Sequence, residues 1–343
     1  MKRLIVVAAL VATSTSAMAV ETVMGIKGRF DYINTKTDSN PGKASSGVLT
    51  TSFLRLVTDA KINDTTSAKL TLDFQPNPNG TSDNNVQNLV DEAYLTKSFA
   101  HGLTLMFGKQ AVMTGGREND YSTRDLYLVS KFKSEIVDNI TGVSAGYSMA
   151  GQNLFLQYLQ QTDARKTPLT DKKVIGAAYY GEFMDKMIMP ILSYHKQGTS
   201  RVGAYDDAGS AGLRLTAAKV MLEADYLMLK QEKLSTTLGD AKLNSVVAHL
   251  RYVHENFQPF AKFITEKGKK GYQGIVAGST ESKRTAWEVG VEYMPNKDED
   301  MRYHVVYNNS ESKNQTTGAT GAGAKVEEQK IIAGVAFNYN ILK

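Results

Sequence analysis

Residues 65–75 read Thr65-Thr66-Ser67-Ala68-Lys69-Leu70-Thr71-Leu72-Asp73-Phe74-Gln75. On an extended chain Ala68, Leu70, Leu72 and Phe74 share one face, while Lys69, Thr71, Asp73 and Gln75 share the other. The same period of two recurs near both ends of the chain. Residues 26–32 set Ile26, Gly28, Phe30 and Tyr32 against Lys27, Arg29 and Asp31. Residues 331–341 put Ile331, Ala333, Val335, Phe337, Tyr339 and Ile341 on one face. No stretch of comparable length carries helical spacing, so the chain reads as all-β. Alternation by itself also fits a soluble two-sheet sandwich.

The connections separate the two architectures. Strands are expected at 22–33, 50–62, 65–75, 88–98 and 103–110, and again from 141 to the C-terminus, with connections that alternate between long and short. Tight turns fall at Asn63-Asp64, His101-Gly102, Ala150-Gly151 and Glu255-Asn256, and polar loops at 34–49, 267–284 and 311–328. Sixteen strands result when 111–140 is taken as one loop on the long-loop side. A sandwich with Greek-key connections has no reason to keep that parity. An up-and-down barrel crossing a membrane needs it, and needs closure, because lipid offers no partner to a sheet edge. The expected fold is therefore a transmembrane antiparallel β-barrel with residues 20–343 as a single domain. Within 111–140, the residues Leu126, Tyr127, Leu128, Val129 and Phe132 call for a packing partner, and the lumen is the simplest place for one. Two features oppose this fold. Pro190 lies inside the expected strand 186–197 without a sheet edge to excuse its missing donor, and 173–183 and 186–197 alternate poorly.

The 343-residue chain has no cysteine, one tryptophan and 42% hydrophobic residues, and only its N-terminus carries a continuous apolar run. That run is Leu4–Val11, preceded by Lys2 and Arg3 and followed by Ala17-Met18-Ala19. It is too short to span a bilayer and has the order of a secretory signal, residues 1–19, cut after Ala19. Losing Lys2 and Arg3 takes the formal charge from +5 to +3, which does not indicate a nucleic-acid partner. Enzyme motifs fail. The five histidines are scattered, and His249 and His254, five apart on a strand, face opposite ways. No Gly-x-Ser-x-Gly elbow is present, and the glycine-rich stretch at 318–325 lacks the Gly-Lys-Ser/Thr ending of a phosphate loop. No catalytic residue, metal site or cofactor is expected.

With the signal peptide, the sixteen-strand count, Leu103–Gln110 leading into a long third loop, and the pattern of the last strand, the chain resembles the general, trimeric porins of Gram-negative outer membranes. The stretch Leu89–Leu95 before Gly108-Lys109 is also similar to phosphate-selective porins. The general-porin resemblance implies a third loop folded into the lumen at mid-height facing a basic wall. It also implies a homotrimer in contact with outer-membrane lipid and lipopolysaccharide, and small hydrophilic solutes as cargo. The last strand resembles the signal read by the barrel-assembly machinery, through Gly334, Phe337 and Tyr339. The family usually ends on an aromatic residue, whereas this chain continues Asn340-Ile341-Leu342-Lys343.

In such a barrel a Lys or Arg facing lipid at the midplane costs about 2–4 kcal/mol, so the charged face of each strand turns to the lumen. Lys27, Arg29, Arg55, Lys61, Lys69 and Lys330 then form a basic inner wall, with Arg29, Arg55 and Lys69 near one height. The loop 111–140 opposes it with Glu118, Asp120, Asp125, Glu135 and Asp138, beside Arg117 and Arg124. These residues predict a charged constriction in a diffusion channel, and the lower aromatic girdle is expected from Phe99, Phe183, Tyr293 and Tyr339. Two alternatives stay open at this point: a channel selective for phosphate or another anion, and a surface scaffold or adhesin with a plugged lumen.

Overall fold

The structure, a computed structural model, describes residues 21–39, 42–74, 89–114, 116–136, 139–163, 170–198, 205–231, 241–269, 279–296, 300–316 and 325–342. The segment 1–19 read as a signal lies outside these residues. Sixteen strands follow one another: β1 (Glu21–Ser39), β2 (Gly42–Asn63), β3 (Thr66–Asp73), β4 (Val90–Ser98), β5 (Leu103–Ala111), β6 (Asn139–Met149), β7 (Gln152–Asp163) and β8 (Thr170–Gly181) form the first half. The second half is β9 (Ile188–Gly198), β10 (Tyr205–Ala217), β11 (Val220–Gln231), β12 (Ala241–Tyr252), β13 (Phe257–Lys269), β14 (Ser279–Tyr293), β15 (Asp300–Thr316) and β16 (Lys325–Leu342). Each strand pairs with its sequence neighbours, and β1 pairs with β16 to close the barrel. A five-residue helix, α1 (Lys131–Glu135), lies between β5 and β6.

Closure is visible in one cross-strand pair. Gly28 of β1 stands opposite Phe337 of β16, and a side chain on Gly28 would collide with that ring, its Cβ coming 2.4 Å from Cζ. The bare glycine lets Phe337 lie flat between Phe30 and Tyr339, with ring centroids 5.8 Å away on each side. Gly334, on the opposite face, leaves room for the Phe30 carbonyl and the Asp31 carboxylate. The short connections also take the turn geometry that the chain twist requires. Ala150 and Gly151 both have positive φ, 50° and 77°, in the two-residue hairpin between β6 and β7.

The two faces of the sheet divide as period two demands. Outward positions expose Leu156 (56%), Tyr158 (51%), Ile175 (56%) and Val305 (55%) among many large apolar side chains, whereas Ser144, Gln157, His195 and Glu288 face inward and are buried. A soluble monomer does not carry so wide an apolar surface. No helix among the described residues is long and apolar enough to cross a membrane, which says nothing of crossing by strands. Phe99, Phe183 and Tyr339 are exposed at the short-turn end, where Phe257 and Tyr293 also meet with centroids 4.7 Å apart.

Three sequence expectations are corrected. The polar stretches 34–49 and 311–328 are mostly strand: β1 and β2 stay paired from Asn34↔Gly47 to Ser39↔Gly42, and β15 pairs β16 as far as Lys313↔Lys325. Polarity there marks departure from lipid, not from the sheet. Both ends of the loop expected at 267–284 are likewise strand, β13 reaching Lys269 and β14 beginning at Ser279. Pro190 needs no bulge. The ladder of its strand with β8 breaks after Tyr180↔Ile191, one residue short of it, and Pro259 follows the β12–β13 pair Arg251↔Phe260 in the same way. Both prolines sit where the ladder on one side is interrupted, and the Phe183↔Ile188 and His254↔Phe257 bridges resume it beyond them in the same register.

Candidate functional site

The segment between β5 and β6 packs against the inner face of the far wall. Its apolar residues Leu128, Phe132 and Ile136 are buried against Leu227, Leu229, Leu243, Val247 and Ile264, inward side chains of β11 to β13. These wall residues escaped the sequence reading. The signal was present in Leu227-Met228-Leu229, where alternation gives way to a run apolar on both faces.

Polar tethers fix the segment along the same wall. The Asp225 carboxylate accepts the backbone N–H groups of Arg117 (2.8 Å) and Glu118 (2.9 Å). Gly116 and Gly212 allow that approach, since a Cβ on either would lie 2.2 Å from Asp225 Oδ1. The Arg117 guanidinium donates to Asp120 at 2.7 Å and to the Pro190 carbonyl at 3.2 Å. Lys262 donates to Glu118 at 2.6 Å and to the Leu128 carbonyl at 2.7 Å, and Ser130 N–H donates to Glu118 at 3.0 Å. Tyr121 donates to Glu223 (2.7 Å) and Tyr127 to Glu292 (3.0 Å). Arg302 pairs with Asp125, and Lys131 N–H donates to Glu266 at 2.7 Å. Arg29 completes the set by donating to the carbonyls of Arg124 (3.0 Å) and Leu126 (2.7 Å), with Tyr127 stacked 4.9 Å from its guanidinium carbon. Before the segment turns inward, Gln157 accepts the Met113 N–H (2.8 Å) and donates to the Ala111 carbonyl (3.1 Å).

Opposite the tethered side, a cavity open to solvent lies between the segment and the near wall. Lys27, Arg55, Lys69, Asp91 and Glu92 line it from the wall, and Asn119, Asp120, Tyr121, Ser122 and Lys133 from the segment. The wall cations do not stand bare. Arg55 pairs with Asp73 (2.9 Å) and Asp91 (3.0 Å), and Lys69 with Glu92 (2.9 Å). A bulge makes this possible. Thr71 pairs Glu92 while Leu72 pairs Val90, so Asp91 is one extra residue in β4 and turns inward beside its neighbour. Asn139 fixes it there with a 2.6 Å hydrogen bond.

The residues expected to form the constriction thus divide. Lys27, Arg55, Lys69 and Asp120 meet at the cavity. Arg29, placed by sequence beside Arg55 and Lys69, is instead a tether, 7% exposed and bound to Asp31 at 2.8 Å. Arg117, Glu118, Arg124 and Asp125 are likewise taken up in tethering, because their side chains point to the wall the segment packs on. Lys61 sits at the turn end of β2 beside Asp64, and Lys330 near the other rim beside Glu328, so neither shares the height of Arg55. Glu135 is half-buried on α1, and Asp138 lies outside the described residues. Asp91, Glu92 and Lys133 are the charged lining residues that sequence reasoning missed.

Two segment carboxyls differ in proton affinity. Burial raises Glu118, but the charge of Lys262 and bonds from Lys262 and Ser130 outweigh it and hold the group below its ordinary value. At Asp120 burial prevails over the Arg117 bond and charge, so its carboxyl is raised. A raised acid takes up its proton earlier as the pH falls, and the cavity lining becomes more positive. In a salt gradient the reversal potential should therefore move toward anions as the pH is lowered, and Asp120→Asn should remove that part of the shift. An unchanged pH dependence in the variant would separate Asp120 from the ion path.

Comparison with known proteins agrees with this architecture. Residues 28–177 match the family model described as phosphate-selective porin O and P. No curated protein sequence matches the chain. Among solved structures, in-vitro folded OmpT, an outer membrane protein of Vibrio cholerae in its trimer form, superposes with a TM-score of 0.62 at 10% identity, covering 92% of this chain and 99% of that one. The anion-selective porin from Comamonas acidovorans gives 0.62 at 14% identity, covering 93% and 100%. OmpF of Salmonella typhi gives 0.61 at 15% identity, covering 93% and 97%. At these identities the likeness establishes a shared fold.

Proposed function

We propose that this chain is an outer-membrane porin, exported through a cleaved signal at 1–19, that passes small hydrophilic solutes and ions by diffusion. The observation that carries this reading is the charged cavity left open between the segment 111–140 and the near wall, inside a closed barrel whose outer face is apolar. The mechanism has no bond-making step. Solutes cross in water past opposed charges that orient dipoles and select by sign, and apolar solutes are disfavoured. A homotrimer is proposed by analogy with the trimer form of OmpT. Gly334, Phe337 and Tyr339, on the strand that closes the ring, are proposed as the assembly signal.

Planar-bilayer recording of the refolded protein tests the reading, and discrete channel steps are expected. Folded protein that inserts without steps would instead support the plugged scaffold. A second reading, a phosphate-selective channel, is favoured by the family match over 28–177. Against it stand Asp73, Asp91 and Glu92, which an entering anion must displace from Arg55 and Lys69. Replacing chloride by phosphate distinguishes the two: diffusion predicts a conductance that follows ion mobility, and selectivity predicts saturation and chloride exclusion.

A further inference from the structure

The turn joining β8 to β9 differs from the reversals beside it. Ala150-Gly151 and Ala218-Lys219 reverse their strands in two residues. The β8–β9 reversal is Met184-Asp185-Lys186-Met187, closed by the Phe183↔Ile188 bridge and by the Met187 N–H on the Met184 carbonyl at 3.0 Å. Met184 (49°), Asp185 (52°) and Lys186 (69°) all hold positive φ, and none is glycine. Three successive side chains are thus kept in a conformation unfavourable to most L-residues. An Asn-Gly pair would turn the chain without that strain. Side chains held in this way point to a use beyond the reversal itself.

Alternation fixes where the methionines of this turn lie. On β9, Leu192 and Tyr194 are exposed on the outer face and Ile191 is buried within, so Met189 and Met187 take the lumenal face. Met184 and Met187 bound one four-residue turn, which brings their Cα atoms within about 7 Å. Met189 follows Met187 on the same face, about 7 Å along the strand. Thr216 donates its N–H to the Met187 carbonyl at 2.8 Å and stands opposite Met221, which extends the lumenal row of thioethers onto β11. Met184 is 69% exposed and Met187 49%. Lipid requires apolar side chains on the outer face, but at the mouth of the lumen that requirement is absent. Asp185 lies between the two methionines and has no ion pair among the described residues, while Lys186 is taken by Glu182 at 3.5 Å. The cations above them, Arg214 and Arg251, are neutralised by Glu223 (2.6 Å) and Glu292 (2.9 Å).

We infer that Met184, Met187 and Met189 form a thioether site for a soft monovalent cation, Cu(I) or Ag(I), at the turn-end mouth of the lumen. Thioether sulphur selects such ions, whereas hard cations prefer oxygen. The chain has no cysteine, so methionine is its only sulphur donor. Three rotatable bonds let each side chain bring its sulphur to a common ion while the turn stays fixed. The Asp185 carboxylate offsets the charge of the ion. Such a site goes beyond the diffusion of hydrophilic solutes and does not rest on conduction.

The test uses the full barrel refolded in detergent, its methionine methyl groups labelled with carbon-13, and silver nitrate as probe in chloride-free buffer. The methyl resonances assigned to Met184, Met187 and Met189 by single leucine substitutions should shift together and saturate at one ion per barrel. Leucine keeps the volume of methionine, so Met184→Leu with Met187→Leu should fold and conduct as the wild-type protein does. That variant should bind Ag(I) at least about tenfold more weakly. Affinity of the wild-type protein should hold as the pH is lowered, because a thioether has no proton to lose. Equal affinity of variant and wild type would overturn the inference. So would equal shifts at Met149, an exposed methionine (61%) beside the neighbouring turn, which would mark indiscriminate binding to any thioether. Zinc competing on equal terms, or loss of affinity in acid, would place the ion on carboxylates or histidine and overturn it too. Silver binding by a protein that shows no channel steps would remove the porin reading and leave this one standing.

Discussion

Replacing Lys262 by Met is expected to loosen the segment between β5 and β6 from the wall and to raise single-channel conductance, with noisier open-state current. Lys262 and Glu118 have side chains only 3% and 1% exposed, and their ion pair is the most enclosed of the segment's tethers. Removing one member of a buried pair leaves the other charged and uncompensated, at a cost of about 3–5 kcal/mol. The Leu128 carbonyl loses its donor in the same step. The strained carboxylate gains most by leaving the wall, and the segment that carries it moves into the open cavity or out of the lumen. Adding Glu118→Gln should restore much of the wild-type behaviour, because the remaining neutral group still bonds to Ser130. Bilayer recording gives the conductance, and thermal unfolding in detergent reports the lost stability. Wild-type conductance and stability in Lys262→Met would show that the apolar packing of Phe132 and Leu128 holds the segment alone.

The second large effect concerns ion selectivity. Exchanging both Arg55 and Lys69 for Glu should swing the reversal potential strongly toward cations. In the wild-type cavity Lys27, Arg55, Lys69 and Lys133 face Asp91, Glu92 and Asp120, a near balance. The double exchange leaves two cations against five carboxylates, with Asp73 adding its own charge behind them. The converse pair, Asp91→Asn with Glu92→Gln, should move the potential toward anions, since it unmasks the cations those carboxylates now cover. A potential unmoved by either pair would place the conducting path elsewhere in the barrel.

Much of this was legible in the sequence because lipid and water impose opposite demands on alternate residues. The pairing parity and the even strand number follow from that demand, and the clean rows at 26–32, 65–75 and 331–341 display it. The strand ends were not legible. Runs such as Ser310-Glu311-Ser312-Lys313 look like a loop, yet their backbone continues the ladder with β16, whose hydrogen bonds offset the entropy lost in ordering it. The inner apolar face of β11 to β13 was hidden for a related reason. Its partner is a segment distant in sequence, so the run Leu227-Met228-Leu229 shows that both faces are covered but not what covers the inner one. The candidate site was half legible. Period two places Lys27, Arg55 and Lys69 on the inner face, but whether an inward charge lines the cavity or holds the segment depends on where that segment lies. Arg29 was misplaced on that account. Period two also turns Asp91 outward, and only the bulge reverses it.

That bulge has an evolutionary side. Which charges line the cavity depends here on chain length as well as residue type, since Asp91 faces inward only because β4 holds one more residue than β3 accommodates. Loss of one codon within β4 would erase the bulge and take one carboxylate from Arg55. Gain of a codon elsewhere in the wall could install another. Small insertions and deletions, usually regarded as damage in a tightly paired sheet, are in this barrel a short mutational route for altering which ions a lineage of such proteins admits.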